Sequence, residues 1–288
     1  MQIGVVFPQT EIGSDPIAIR DYAQAAEDMG YRHILAYDHV LGADTTNRPD
    51  WRGPYTSATP FHEPFVLFAY LAGLTRRLEF VTGVIILPQR QTALVAKQAV
   101  ALDVLSGGRL RVGVGIGWNE VEYQALGENF RNRAARIEEQ ATVLRALWSE
   151  PVVTFHGSWH QIEAAGINPL PVRRSIPLWF GATAEPAIER AGRLADGWFP
   201  QRPPDDQARA MLEVLRRSAR AAGRDPAALG VEARLSIGQT PEAEWSRFAE
   251  GWRALGATHM GVNTMGAGLG SPQAHVEALR RVKDALGV

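Results

Sequence analysis

The sequence predicts an α/β protein in which eight parallel strands close into a (β/α)8 barrel, the TIM-barrel architecture. Short runs rich in β-branched residues alternate with amphipathic stretches, and eight such strand–helix units follow one another along the chain. Strands separated by single helices form parallel βαβ units, and eight of these units can close on themselves. An open doubly wound sheet is the structural alternative, but the number of units favours the barrel.

The first four units carry the expected start and stop signals. Asp15 and Pro16 stand where the first helix should begin, and Gly30 follows its end. The run 78–86 is the strongest strand pattern in the chain, and Gly107 follows the next helix. The predicted strands are 3–7, 33–36, 78–86 and 110–114, and the predicted helices are 15–29, 63–74, 91–105 and 132–148.

Two segments interrupt the alternation of strands and helices and are expected to be insertions, one after strand 2 and one before strand 5. The first is a long polar stretch, and the second, 151–176, reads as a β-hairpin followed by prolines. Composition does not shift along the chain, so we expect a single domain over residues 1–288. The remaining predicted strands are 178–180, 197–199, 231–237 and 259–263, and the helices are 185–194, 205–222, 242–255 and 271–286.

Composition excludes several classes of function. A net charge of −1 gives no reason to expect a nucleic acid or an anionic membrane as a partner. The chain has no cysteine, which excludes disulfides, thiolate metal sites and cysteine nucleophiles. No apolar run approaches the roughly 18 residues that a membrane helix needs, and the chain opens on a strand without a basic leader. We therefore expect a cytoplasmic protein.

The first candidate functional residues, Asp38 and His39, follow strand 2. Barrel enzymes build their sites from the loops that follow the strands. A neutral histidine can donate a hydrogen bond or transfer a proton near neutral pH. A histidine in this place can equally pack against its neighbours or face solvent, so the residues alone leave its role open.

Glycines follow the fourth and fifth strands. Gly113, Gly115 and Gly117 have the spacing G-x-G-x-G, which differs from the G-x-G-x-x-G of dinucleotide-binding proteins. Such glycines allow either close approach by a flat ligand or simply a tight turn. The segment 181–183, Gly181-Ala182-Thr183, precedes a helix and can offer amides and a hydroxyl to a phosphate, although many helices begin this way.

Other catalytic motifs are absent from the sequence. There is no H-E-x-x-H, and His156 and His160 lie on the predicted hairpin, where we expect them to be exposed, so no metal site is predicted. Neither a G-x-S-x-G elbow nor a P-loop occurs. From the residues alone, the prediction is a barrel enzyme with a glycine-lined mouth.

A long segment in the centre of the chain resembles the luciferase-like monooxygenase superfamily. It runs from Leu94 to Gly127 and includes Leu102-Asp103-Val104-Leu105-Ser106-Gly107-Gly108-Arg109 and Gly113-Val114-Gly115-Ile116-Gly117-Trp118-Asn119-Glu120. The segments 179–181 and 195–200 are also similar to this family. The resemblance covers essentially the whole chain, and the branch it resembles most is the bacterial coenzyme F420-dependent oxidoreductases.

The resemblance implies a cofactor and a set of site residues. Such proteins hold F420 or reduced FMN at the barrel mouth, and many have a non-proline cis peptide in strand 3, at the position of Gly83 and Val84. The resemblance places His39 near the reactive part of the ring. It also implies cofactor contacts by residues near the strand ends, which are Asp38, Gly83, Val84, Gly115, Gly117, Trp118, Asn119, Gly181, Ala182, Thr183 and Arg202. Of these, Gly181 to Thr183 match the phosphate region, and Arg202 is the candidate for the anionic tail of F420.

Two departures argue against a sugar-phosphate substrate. Related sugar-phosphate dehydrogenases have a glutamate where this chain has Trp118, and a tryptophan where it has Ala43. Trp51, Tyr55 and Trp118 are candidates either for an aromatic-walled pocket or for core packing. The polar stretch 41–62 is the candidate lid that sets specificity.

The resulting hypothesis is an oxidoreductase that transfers a hydride between F420 and a small organic substrate. A reduced-FMN monooxygenase that uses O2 and a separate reductase is the first alternative. A flavin-binding protein without catalysis is the second. The resemblance also implies a homodimer that packs through the early barrel helices.

Overall fold

The computed structural model describes residues 1–287, so the last residue of the predicted domain, Val288, lies outside the described residues. The strands in chain order are β1 (Gln2–Val6), β2 (His33–Ala36), β3 (Glu79–Thr82), β4 (Ile85–Ile86), β5 (Leu110–Gly115), β6 (Val153–His156), β7 (Gln161–Ala165), β8 (Leu178–Gly181), β9 (Gly197–Phe199), β10 (Gly230–Ser236) and β11 (His259–Asn263).

Within residues 1–287, nine of these strands form one sheet in the order β3-β2-β1-β11-β10-β9-β8-β5-β4. Adjacent strands of this sheet are parallel, and the pairing of β3 with β5 closes the sheet into a barrel. Strands β3 and β4 are consecutive pieces of one barrel strand, so the barrel has eight strand positions. The predicted TIM barrel is confirmed.

Helices cover the outside of the barrel, and most begin at a side chain that accepts a hydrogen bond from the first turn. Within the described residues, Asp15, Glu63, Asn119, Asp205 and Ser271 cap five of the nine in this way. Over residues 1–287 the α-helices are α1 (Pro16–Asp28), α2 (Pro64–Ala72), α3 (Thr92–Ser106), α4 (Glu120–Ala125), α5 (Arg133–Ser149), α6 (Glu185–Leu194), α7 (Asp206–Ala221), α8 (Trp245–Ala254) and α9 (Pro272–Leu286). No helix in this range is long and apolar enough to cross a membrane.

The third barrel strand differs from its prediction. The sequence predicts an uninterrupted strand over 78–86, but β3 ends at Thr82 and β4 begins at Ile85. Between them lies a cis peptide bond joining Gly83 to Val84, at the position that the family resemblance implies. The short helix α4 also had no counterpart among the predicted elements.

Both predicted insertions are present. The segment between β2 and α2 contains no helix or strand. The hairpin β6–β7 precedes β8, and Glu139 on α5 fastens it by accepting hydrogen bonds from the amides of Ser158, Trp159 and His160. The expectation that His160 is exposed is wrong: its side chain is 14% exposed, with Nδ1 2.7 Å from Glu139.

The barrel interior has an ionic layer near the N-terminal ends of the strands. Arg111 lies 2.6 Å from Glu232 and 3.1 Å from Glu79, and His33 lies 2.8 Å from Glu232. Burial opposes the charge of Glu232, but His33 and Arg111 outweigh burial and lower its pKa. Because inward-facing residues alternate along a strand, the next inward positions form an apolar layer. That layer contains Val6, Leu35, Val81, Trp179 and Phe199.

Candidate active site

His39 lies on the loop that follows β2, and a buried carboxylate fixes its position. Its Nδ1 is 3.3 Å from Oε2 of Glu122, a residue of α4, and the two side chains are 10% and 1% exposed. The other carboxylate oxygen of Glu122 accepts hydrogen bonds from the amides of Val40 and Leu41. Glu122 therefore holds both the imidazole and the backbone beside it.

The ionisation of Glu122 follows from these contacts. Burial by itself disfavours the carboxylate, but the contact with His39 and the hydrogen bonds from the amides of Val40 and Leu41 favour it and lower the pKa of Glu122. Gln89 donates a further hydrogen bond at 3.2 Å. A carboxylate in this place stabilises an imidazole that donates through Nδ1, and Nε2 then remains for a reacting molecule.

Three aromatic side chains pack against His39 and a fourth packs against one of these, and we call the four the aromatic roof (Trp51, Tyr55, Phe61 and Trp118). The ring centroids of Tyr55, Phe61 and Trp118 lie 4.6, 4.8 and 5.8 Å from that of His39. Trp51 lies 5.6 Å from Trp118. Since Trp51, Tyr55 and Phe61 belong to the segment 41–62, this segment folds over the barrel mouth.

Val84 projects into the mouth between two glycines. A Cβ atom placed on Gly115 would lie 2.6 Å from a methyl group of Val84, and one on Gly181 would lie 3.1 Å from the other. Gly117 has a φ of 64°, a backbone conformation that favours glycine. The sequence allows these glycines two roles, and the structure adds a third, which is to make room for Val84.

Asp38 and Asn119 have their polar atoms engaged by the protein. Asp38 is buried, pairs with Arg90 at 2.7 Å and accepts a hydrogen bond from the amide of Ile86, the last residue of β4. Asn119 caps α4 and donates to the carbonyl of Leu41 at 3.3 Å. Both side chains position the strand ends around the mouth.

The residues predicted to bind the phosphate and the anionic tail of the cofactor lie at other positions around the barrel mouth. Thr183 is exposed, Ala182 is buried, and α6 begins just beyond them without a side-chain cap. At this helix start Pro186 has no N–H and the amide of Ala187 donates to the carbonyl of Ala184 at 2.9 Å, so an anion would depend on the amides and the hydroxyl that precede the helix. Arg202 pairs with Asp205 at 2.7 Å, so an anionic tail must compete with that carboxylate.

A pocket extends from the mouth into the barrel, and sequence reasoning missed its polar residues. Strands β3–β4 and β10 are four positions apart in either direction around the barrel, so Val84 and Arg234 face each other across it. Arg234 donates a hydrogen bond to the hydroxyl of Tyr37 at 3.0 Å. The lining residues are Val6, Leu35, Tyr37, Gly83, Val84, Phe199, Pro200, Gln201, Glu232, Ala233, Arg234 and Gly261.

A signal for Arg234 was present in the sequence. Glu232 and Arg234 are two residues apart in a strand, so both must point to the same side of the sheet. Tyr37 directly follows β2. Glu122 and Phe61 had no comparable signal, because their roles depend on contacts between distant parts of the chain. In the described residues no cluster of three or more histidine or carboxylate side chains could hold a metal ion.

The fold and this mouth define a barrel enzyme whose reactive groups surround an apolar pocket. A sequence profile of the luciferase-like monooxygenase family matches residues 1–286. The chain therefore belongs to this family and is an oxidoreductase, which confirms the resemblance found in the sequence.

Three characterised proteins illustrate the range within the family. The chain is 29% identical over 254 residues to an F420-dependent hydroxymycolic acid dehydrogenase of Mycobacterium tuberculosis, covering 87% of this chain and 66% of that protein. It is 27% identical over 238 residues to an FMNH2-dependent dimethylsulfone monooxygenase of Pseudomonas putida, covering 80% and 61% of the two chains. An F420-dependent secondary alcohol dehydrogenase, solved with an F420–acetone adduct, has the same fold with a TM-score of 0.79 at 19% identity, covering 99% and 98%.

Proposed function

We propose that this protein transfers a hydride between coenzyme F420, bound at the C-terminal mouth of the barrel, and a small organic substrate. The observation that carries the proposal is the pocket beside Val84. Its walls are apolar at Val6, Leu35 and Phe199, and its edge is polar at Gln201. A flat ring system with apolar faces and a hydrogen-bonding edge fits such a pocket. The F420-dependent dehydrogenase relatives support the same choice.

The proposed cofactor contacts divide the predicted residues into two groups. Gly83, Val84 and Trp118 line the space beside the ring, Gly181 to Thr183 receive the phosphate, and Arg202 meets the anionic tail. Asp38, Gly115, Gly117 and Asn119 act by shaping the mouth, since their contacts are already made within the protein.

The chain's own groups supply binding, orientation and proton transfer. When bound, F420 supplies the hydride chemistry that side chains lack. His39, held at Nδ1 by Glu122, exchanges a proton with the substrate through Nε2. The aromatic roof excludes water from this contact.

The second candidate function is a reduced-FMN monooxygenase, which the similarity to the dimethylsulfone enzyme favours. The two functions make different demands on the cofactor. An oxygen-using enzyme needs the flavin N5, which a 5-deazaflavin lacks. Oxygen consumption that depends on reduced FMN would therefore replace the F420 proposal.

The test is equilibrium binding of F420 and FMN, each oxidised and reduced, to the purified protein. We expect a clear preference for F420. His39→Ala is the matched control, because it removes the proposed proton-transfer group and leaves the pocket walls intact, so its affinity for F420 should stay close to that of the wild type. A preference for reduced FMN, or binding of neither cofactor, would refute the proposal.

We further propose a homodimer that packs through α1, α2 and α3. Large apolar side chains are exposed on these adjacent helices, namely Ile17, Val66, Tyr70, Leu94 and Leu105, with exposed fractions of 56, 68, 41, 53 and 72%. Tyr70 bonds to the carbonyl of Pro16 at 3.0 Å, which joins the α1 and α2 parts of this face. Apolar side chains grouped in this way mark interaction surfaces.

A further inference from the structure

Arg234 is a cation inside the barrel mouth that no carboxylate neutralises. Among residues 1–287, no carboxylate oxygen lies within 4.0 Å of its guanidinium, whose one hydrogen-bond partner is the hydroxyl of Tyr37 at 3.0 Å. The side chain is half-buried and lines the pocket opposite Val84. Most of its N–H groups are therefore available to a molecule in the pocket.

Two other arginines of the barrel show what is unusual about Arg234. Arg111 pairs with Glu232 and Glu79, and Arg90 pairs with Asp38 and Glu63. Removing a charge from water costs free energy unless a counter-charge compensates it. The protein supplies that counter-charge for Arg111 and Arg90. For Arg234 the pocket leaves room for a ligand to supply it, since the nearby carboxylate Glu232 already pairs with Arg111 and His33.

Tyr37 gives this cation a fixed neighbour. The backbone of Tyr37 exchanges two hydrogen bonds with the buried side chain of Gln9, each 3.0 Å long. Burial raises the pKa of Tyr37, although Arg234 opposes the shift, so the hydroxyl keeps its proton at neutral pH. Because this hydroxyl accepts from Arg234, its own hydrogen is free to point towards a ligand.

We propose that Arg234 and Tyr37 form an oxyanion site that binds the carboxylate of a small, mainly apolar substrate. A guanidinium and a hydroxyl held side by side suit a planar carboxylate, which accepts several hydrogen bonds at once. The part of this apolar pocket that the cofactor ring leaves open suits the rest of such a molecule. This inference rests on the proposed function, since it names the substrate class for that pocket. An anionic ring of the bound cofactor presents the same oxyanion chemistry, and the experiment separates the two sources.

The experiment measures calorimetric binding of acetate, crotonate and benzoate, and of the corresponding neutral amides, with and without saturating oxidised F420. We expect at least one carboxylate to bind more tightly than its amide. Arg234→Met should weaken that binding about tenfold or more, and Tyr37→Phe by a smaller factor. Arg253→Met, which removes a charge from the exposed end of α8, is the control and should change nothing. Circular dichroism and thermal unfolding establish that the variants fold.

The outcomes are decisive in both directions. Carboxylate binding that is lost in Arg234→Met while F420 binding persists supports the inference. If none of the three carboxylates binds in either state, the inference is wrong. If Arg234→Met weakens F420 binding and leaves carboxylate binding unchanged, Arg234 serves the cofactor and the inference is also wrong. Failure of the wild type to bind F420 defeats the proposed function separately, because the carboxylate titrations of the cofactor-free protein remain interpretable.

Discussion

At the residue scale, the candidate site depends on one buried carboxylate. Glu122 accepts hydrogen bonds from two backbone amides of the β2 loop and from Gln89, and it contacts His39. A buried carboxylate is tolerated only when such partners compensate its lost hydration. The same group therefore contributes to folding stability and to the orientation of His39, and the two contributions can be measured separately.

The stability contribution of Glu122 should depend on pH. Its pKa is lowered in the folded protein, so the stabilisation is fully present above the unfolded-state pKa of roughly 4.3 and is lost as the pH falls through the folded-state pKa. We expect Glu122→Gln to reduce the free energy of unfolding by about 1–3 kcal/mol at pH 7. This difference from the wild type should shrink at acidic pH, as measured by urea denaturation over a pH series.

The control for this prediction is Glu120→Gln, which removes a carboxylate from an exposed position on the same helix. It should change stability by less than about 0.5 kcal/mol at every pH. An equal loss for Glu122→Gln at pH 7 and at acidic pH would contradict the ionised role of Glu122.

Some residues of the site could be predicted and others could not. His39 and the glycines stand at strand ends, and strand ends can be located from local sequence patterns. The role of Glu122 could not be found in this way, because its partners Val40 and Leu41 lie 82 and 81 residues away in the chain. The pairing of Arg234 with Tyr37, 197 residues apart, is equally non-local.

At the scale of elements, the interrupted third strand organises the mouth. β3 and β4 are separated by Gly83 and Val84, and the side chain of Val84 occupies the space that Gly115 and Gly181 leave open. The hydrophobic pattern predicts the strand as a whole. Phe80 and Ile85, which belong to that pattern, are buried in the structure. A pattern of apolar residues carries no information about the interruption, which only the resemblance to known proteins indicated.

We expect Gly115→Ala to destabilise the protein through Val84 specifically. The added Cβ would lie 2.6 Å from a methyl group of Val84, and a short branched side chain has little freedom to move away. Such overpacking costs about 1–3 kcal/mol in the free energy of unfolding. In a Val84→Ala background the methyl group is absent, and the same substitution should cost less than about 1 kcal/mol.

A double-mutant cycle over Gly115 and Val84, measured by denaturant unfolding, checks this expectation. F420 affinity, measured in parallel, should fall for Gly115→Ala if Val84 supports the cofactor as proposed. Equal costs of Gly115→Ala in the two backgrounds would show that the glycine is needed for another reason.

At the scale of the whole molecule, the barrel was predictable because the sequence pattern of a strand followed by a helix occurs eight times along the chain. Each strand–helix unit has its own hydrophobic pattern and end signals, so an error in one unit does not change the fold class. The ionic layer of Arg111, Glu79, Glu232 and His33 was not predicted. Its members come from four different strands, and each alone resembles an ordinary polar residue near a strand end.

The outer surface carries a prediction at the same scale, since the exposed face of α1, α2 and α3 is unusually apolar. If this face joins two chains, the protein should sediment or elute at twice the chain mass of 31.5 kDa. Val66, 68% exposed on α2, is the most direct position to test, because a glutamate there would place a charge in the apolar interface. We expect Val66→Glu to shift the protein to monomer in analytical ultracentrifugation.

Val152→Glu, at a position 58% exposed near the hairpin, should leave the dimer intact. A wild-type protein that is monomeric at all accessible concentrations would show that this face has another role.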